Sequence, residues 1–140
     1  MNPLLTFFVE HWVLSGTFLA IVFILLVNEW RHRSMGVPHL APQDLVNLLN
    51  HSAGVVVDIR SQTRFEQSHI IGAINLPQAD FQGKLNTLNK YKAKPLVLVC
   101  ANGSDAPKMA KILKANGFNQ VYFLANGMDG WVTAGMPVVK

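Results

Sequence analysis

Cys100 is the only thiol in this 140-residue chain, and its setting can make it reactive. It follows an apolar run, Leu96-Val97-Leu98-Val99, and opens a short loop, Ala101-Asn102-Gly103-Ser104-Asp105. An uninterrupted branched run suits a strand buried on both faces of a sheet. Pro107 fits the first turn of a following helix, which Ser104 or Asp105 can cap. A cysteine at that junction faces backbone N–H groups and a helix N-terminus, a setting that favours the nucleophilic thiolate. A lone cysteine can equally be a small buried hydrophobe. The surrounding elements have to decide between the two.

Those elements alternate. Residues 37–40 read as a short edge strand, where Pro38 is tolerated. Residues 42–50 carry Leu45, Leu48 and Leu49 at helical spacing behind Pro42. Residues 55–59 form an apolar strand with Asp58 near its end and Arg60 just beyond. Residues 61–68 read as a loop with a short helix, and residues 73–76 as a third strand stopped by Pro77. Phe81, Leu85 and Leu88 predict a helix within residues 81–91. After the strand that leads to Cys100, Met109, Ile112 and Leu113 predict an amphipathic helix that ends at Asn116-Gly117. Residues 121–124 form a last strand, and residues 127–134 a short helix bearing Trp131. Such alternation predicts an α/β domain with a mainly parallel central sheet flanked by helices. Ligands of these sheets bind at the carboxyl ends of strands, where Cys100 lies at one end and Asp58 and Arg60 at another.

The N-terminal segment differs in kind. Residues 13–27 carry no charge, and Trp12 and Trp30 bracket them. As a helix the bracketed span rises roughly 1.5 Å per residue, close to the hydrocarbon thickness of a bilayer. Tryptophans favour the two interfaces. Residues 4–9 are also apolar and lie in the opposite interface or extend the span. Arg31 and Arg33 follow the span and no Lys or Arg precedes it, which puts the N-terminus outside and the rest in the cytoplasm. The start lacks the basic residues and cleavage site of a signal peptide. The expected organisation is an anchor over 1–30 with its span about 12–30, a linker over 31–36, and a domain over 37–140.

Half the residues are hydrophobic and 14% are charged, so a disordered chain is excluded. One cysteine forms no internal disulfide, which agrees with a reducing compartment. From Val37 onward ten Lys and Arg face six Asp and Glu, which accounts for the net charge of +4. These bases are dispersed and lack interleaved aromatics, so no nucleic-acid partner is expected. Lys108, Lys111 and Lys114 recur every three residues beside the cysteine loop, as a solvated face or a dock for something acidic. No His/Cys cluster has metal-ligand spacing, and no cofactor is implied. His69 is expected to hydrogen-bond inside the fold, and Trp131 to anchor the core.

Three stretches together resemble the rhodanese-like domain family over residues 37–140. Asp58-Ile59-Arg60, then Phe65, then His69-Ile70-Ile71-Gly72-Ala73-Ile74-Asn75 resembles its Asp-x-Arg and His-Ile-x-Gly-Ala-x-Asn signature. The segment from Cys100 to Asp105 resembles its Cys-x-x-Gly-x-x active-site loop. Gly127-Met128-Asp129-Gly130-Trp131, with Gly135-Met136-Pro137-Val138, resembles its Gly-x-x-x-Trp ending. One span followed by one such domain is similar to the small bacterial inner-membrane members. The resemblance implies a sulfurtransferase. Cys100 would take sulfur from a small donor such as thiosulfate, or from a persulfidated protein, and hold it as a persulfide. It would then pass it to a thiol or a cyanide-like acceptor. Backbone N–H groups of Ala101, Asn102, Gly103, Ser104 and Asp105 could form an anion-binding nest, with Gly103 letting the loop curl. Asp58 and Arg60 would support the site as a pair.

The chain departs from the family pattern in places. Asp105 stands where active members often carry Arg, Thr or Ser, and a carboxylate there opposes both a thiolate and an anionic donor. It either caps the helix and points away, or bears on which donor is accepted. Arg64 replaces a usual Glu, and Ser68 a usual Gly; both are expected to lie away from the chemistry but could alter a salt bridge of Arg60. A catalytically weak module that recruits a protein to the membrane is the competing reading. A phosphatase loop, Cys-x-x-x-x-x-Arg, needs an arginine where Ala106 stands, so its oxyanion clamp is absent here.

Overall fold

The computed structural model describes residues 2–34 and 36–140; Met1, Met35 and the side chains of Leu4 and residues 31–34 lie outside the described set. The chain divides into two compact units, Met1–Gly36 and Val37–Lys140.

In the first unit, helix α1 spans Pro3–Glu10 and helix α2 spans Trp12–Ser34. His11 interrupts them with a non-helical backbone, φ −114° and ψ 41°, so residues 4–9 form their own helix. The stretch Trp12–Trp30 is long and apolar enough to cross a membrane, and none of it is buried by protein. Helix α2 runs through residues 31–34, which the sequence reading gave to a linker. Polar residues alone do not stop a helix, and Gly36 is the first strong breaker after the span.

The second unit is built on a five-stranded, wholly parallel sheet in the order β1-β5-β4-β2-β3. The strands are β1 His39–Leu40, β2 Val55–Asp58, β3 Ile74–Asn75, β4 Leu96–Val99 and β5 Val121–Leu124. Helix α3, Pro42–Ser52, links β1 to β2, and the short α4, Gln62–Gln67, follows β2. Helices α5, Ala106–Ala115, and α6, Gly127–Thr133, follow β4 and β5. Pro38 precedes a strand at the sheet edge, where a missing N–H is tolerated.

Burial on both faces explains the unbroken apolar run of β4, all of which is buried. Leu96 and Leu98 join Val57, Phe81, Leu88, Ala110 and Leu113 on one face. Val97 and Val99 join Leu45, Val56, Met128 and Trp131 on the other. Burying a Leu or Val side chain contributes roughly 1.5–3 kcal/mol, so β4 is the spine of the domain. The helix predicted within 81–91 is instead a 3₁₀ segment, Leu85–Tyr91, preceded by another over Gln78–Asp80. Leu85, Leu88 and Tyr91 recur every three residues, which aligns them on one side of a 3₁₀ rather than an α-helix.

Candidate active site

The sheet order places the cysteine loop. The connection from β2 leads outward to β3, while that from β4 leads the opposite way to β5. Neighbouring strands whose connections diverge leave a crevice at their carboxyl ends. A cavity of about 330 Å³ opens there. Ile59, Arg60, Ser61 and Arg64 line it from the end of β2, and Cys100, Ala101 and Asp105 from the end of β4. Pro77, Gln78 and Ala79 close the third side.

Cys100 is a free thiol with only 3% of its surface exposed. The Gly103 N–H donates to its Sγ at 3.0 Å. Gly103 has φ +88°, and a Cβ there would meet the Asn126 backbone nitrogen at 2.9 Å. Glycine is therefore needed twice, for the turn and for the close approach. The loop N–H groups do not all converge on the sulfur as a uniform nest would require. Asn102 Oδ1 accepts from the Ser104 N–H at 3.1 Å and from Ser104 Oγ at 2.7 Å. That side chain diverts one donor and stiffens the loop.

The carbonyl side of the loop is held from α6. Met128 N–H donates to the Cys100 carbonyl at 2.8 Å, and Asp129 N–H to that of Ala101 at 3.0 Å. This brings Gly127, at φ +55°, so close that a Cβ would collide with the Cys100 carbonyl oxygen. Sequence reasoning gave the Asn126-Gly127 turn no part in the site. Its signal is the Asn-Gly pair itself, whose two residues both take positive φ at the end of β5.

Asp58 and Arg60 meet as a pair. Asp58 is 1% exposed and accepts from Arg60 Nε at 2.9 and 3.0 Å and from Nη2 at 2.6 Å. The Arg60 backbone N–H also donates to Asp58 Oδ1, at 3.0 Å. Arg60 Nη2 donates onward to the Ser68 carbonyl at 2.7 Å. Asn75 Nδ2 donates to the carbonyls of Asp58 and Arg60 at 3.1 and 3.0 Å. Asp58 thus lies behind the cavity wall, with most of the charge of Arg60 already answered.

One expectation about charge changes. Arg64 was expected to lie away from the chemistry, but it lines the cavity with Cys100. Ser61 caps α4, and Arg64 falls in its first turn, on the side where β2 ends. A polar residue three positions after a capping serine at a strand end is the signal that could have found it. Asp105 occupies the N-cap position of α5 by backbone but makes no side-chain cap bond. Asp105 is among the residues that line the cavity. Neither Arg64 nor Asp105 forms an ion pair among the described residues.

His69 is outside the cavity. Its Nδ1 lies 2.8 Å from the Phe65 carbonyl, and its ring stacks on that of Phe65 at 3.9 Å. Trp131 is buried and its Nε1 donates to the Pro137 carbonyl at 2.9 Å. The α5 lysines Lys108 and Lys111 are exposed and do not reach the cavity.

Comparisons with known proteins agree with this geometry. Residues 41–134 match the family model of the rhodanese-like domain. The chain is 30% identical to the uncharacterised protein YibN of Escherichia coli K12, over 100% of this chain and 99% of that one. It is 31% identical to the thiosulfate sulfurtransferase GlpE of Glaesserella parasuis, over 71% of this chain and 90% of that one. Among solved structures, a rhodanese-related protein of Thermoplasma volcanium superimposes with a TM-score of 0.66 at 24% identity. That match covers 73% of this chain and 97% of the other.

Proposed function

Since the chain belongs to the rhodanese-like family, we propose that it is a membrane-anchored sulfurtransferase that carries sulfur on Cys100. The observation that carries this reading is the Gly103 N–H directed at Cys100 Sγ, 3.0 Å away, at the wall of a cavity open to small molecules. An N–H dipole aimed at sulfur supports the thiolate that performs the attack. With thiosulfate as donor, the Cys100 thiolate attacks the outer sulfur. The Cys100 S–S bond forms as the donor S–S bond breaks, and sulfite leaves with the bonding electron pair. An acceptor thiolate or cyanide then attacks the outer sulfur of the Cys100 persulfide and releases the Cys100 thiolate. The two half-reactions share one covalent intermediate, so the kinetics should be of the ping-pong kind. A persulfide on a partner protein would react by the same attack.

Mass spectrometry of the full chain after incubation with donor should find one added sulfur on Cys100, lost on addition of a thiol. Cys100→Ser should abolish both loading and transfer. An intact chain that no donor loads would sink the proposal. Asp105 supports a second reading, a weakly active module that recruits a protein to the membrane, because the residue lines the cavity and a carboxylate there opposes anionic donors. On that reading Cys100→Ser leaves the cellular role untouched.

The span Trp12–Trp30 serves as the anchor in this proposal, in the inner membrane of a bacterium. The basic residues Arg31 and Arg33 follow it, so the N-terminus lies outside and residues 37–140 lie in the cytoplasm. Labelling of Cys100 in intact cells by a membrane-impermeant thiol reagent should fail until the membrane is opened.

A further inference from the structure

The charges around the cavity are sorted in an informative way. The guanidinium of Arg60 is bound to Asp58 and to the Ser68 carbonyl. That leaves one uncommitted cation, Arg64, and one uncommitted anion, Asp105, on the walls of the cavity that holds Cys100. Arg64 stands in helix α4 and Asp105 at the N-cap of α5, and they do not pair with each other. With Cys100 as thiolate, the free charges sum to a net negative site. A small dianion such as thiosulfate is drawn by Arg64 but repelled by Asp105 and by the sulfur itself. A ligand that carries one cation and one anion beside its reactive sulfur meets a partner at each end. Ser61 and Gln78 line the same cavity and add neutral hydrogen-bonding groups.

Resting on the sulfurtransferase reading, we propose that Arg64 and Asp105 select a zwitterionic amino-acid persulfide of the cysteine type as donor, its carboxylate facing Arg64 and its ammonium facing Asp105. A cavity of about 330 Å³ is of the size that takes such a molecule. The step balances without an added oxidant. The Cys100 thiolate attacks the outer sulfur of the donor R–S–SH, the Cys100 S–S bond forms, and the donor S–S bond breaks. The electron pair leaves on the donor thiolate, and the proton of the donor S–SH ends on the new Cys100 persulfide or in solvent.

The test measures the rate of Cys100 persulfidation in the detergent-solubilised full chain with three probes: cysteine persulfide, thiosulfate and an uncharged alkyl persulfide. The unaltered chain should load about fivefold or more faster from cysteine persulfide than from the uncharged persulfide, as expected for partly screened charge pairs. The Asp105 side chain makes no cap bond, so Asp105→Asn removes none. That variant should slow loading from cysteine persulfide and speed loading from thiosulfate, each by about fivefold. Arg64→Gln should slow both charged donors and leave the uncharged one unchanged. A fold defect would slow all three donors together and cannot produce this divergence. The proposal is overturned if Asp105→Asn moves the two charged donors in the same direction, or if the uncharged persulfide loads as fast as cysteine persulfide. Loading from none of the three by the unaltered chain overturns the sulfurtransferase reading and this proposal with it.

Discussion

Arg60 and Arg64 line one cavity from the same stretch of chain, and the fold treats them in opposite ways. Arg60 follows β2 directly, where the buried carboxylate of Asp58 waits two residues back. Its side chain is 10% exposed, and its guanidinium is bonded to Asp58 and to the Ser68 carbonyl. Arg64 lies one helical turn on, exposed, with no ion-pair partner among the described residues. The same contrast runs through the two strand ends. The end of β2 is sealed: Asp58, Arg60, Ser68 and Asn75 satisfy one another. The end of β4 keeps one donor on the sulfur, gives another to Asn102, and leaves Asp105 open to the cavity. The network around Asp58 is scaffold, while Arg64 and the end of β4 are where a ligand can supply what is missing.

If that division is right, the largest stability effect belongs to the sealed side. Arg60→Gln strands the Asp58 carboxylate, buried to 1% exposure, without its counter-charge. Breaking a buried pair from one end costs about 3–5 kcal/mol. A domain of this size loses roughly 4–8 °C of melting temperature per kcal/mol. Thermal unfolding of the full chain in detergent, followed by near-ultraviolet circular dichroism, should show the domain transition displaced accordingly. An unmoved transition would mean that the pair is not the scaffold it resembles.

Gly103→Ala comes next and acts on both sides of the comparison. The new Cβ meets a left-handed backbone at φ +88° and the Asn126 nitrogen at 2.9 Å. The conformational term alone costs about 1–2 kcal/mol. Relieving the clash should also pull the residue-103 N–H away from the sulfur. The expected result is a modest fall in melting temperature together with slower alkylation of Cys100 by iodoacetamide. A stability loss with unchanged alkylation would show that this N–H does not serve the thiolate.

Much of this division is legible in the sequence, for reasons that are local. The four apolar residues of β4 have few options besides a doubly buried strand. A carboxylate and an arginine two apart at a strand end fall within reach of each other, as Asp58 and Arg60 do. The short loop with Gly103 announces a tight turn. What escapes is carried by contacts distant in sequence or by side-chain direction. The clamp of Met128 and Asp129 on the cysteine loop depends on β5 lying beside β4. The diversion of the Ser104 N–H depends on how Asn102 turns. The helix expected within 81–91 fails because spacings of three and four look alike over so few turns. Arg64 and Asp105 read as surface charges, one on a polar helix and one as a cap, until the cavity joins them.

The smallest stability effect then becomes the sharpest probe of the comparison. Arg64→Gln removes an exposed charge that holds nothing in place, so its effect on unfolding should stay within about 0.5 kcal/mol. Arg60→Gln, the same chemical change four residues earlier, should lower the melting temperature by many degrees. The two arginines face the same cavity, so a purely local electrostatic effect on Cys100 would alter its reactivity in both variants alike. If Arg64 serves the ligand, only the response of Arg64→Gln depends on donor charge, at an unchanged melting temperature. Equal destabilisation by both variants would place Arg64 in the scaffold and leave Asp105 as the only charge available to a ligand.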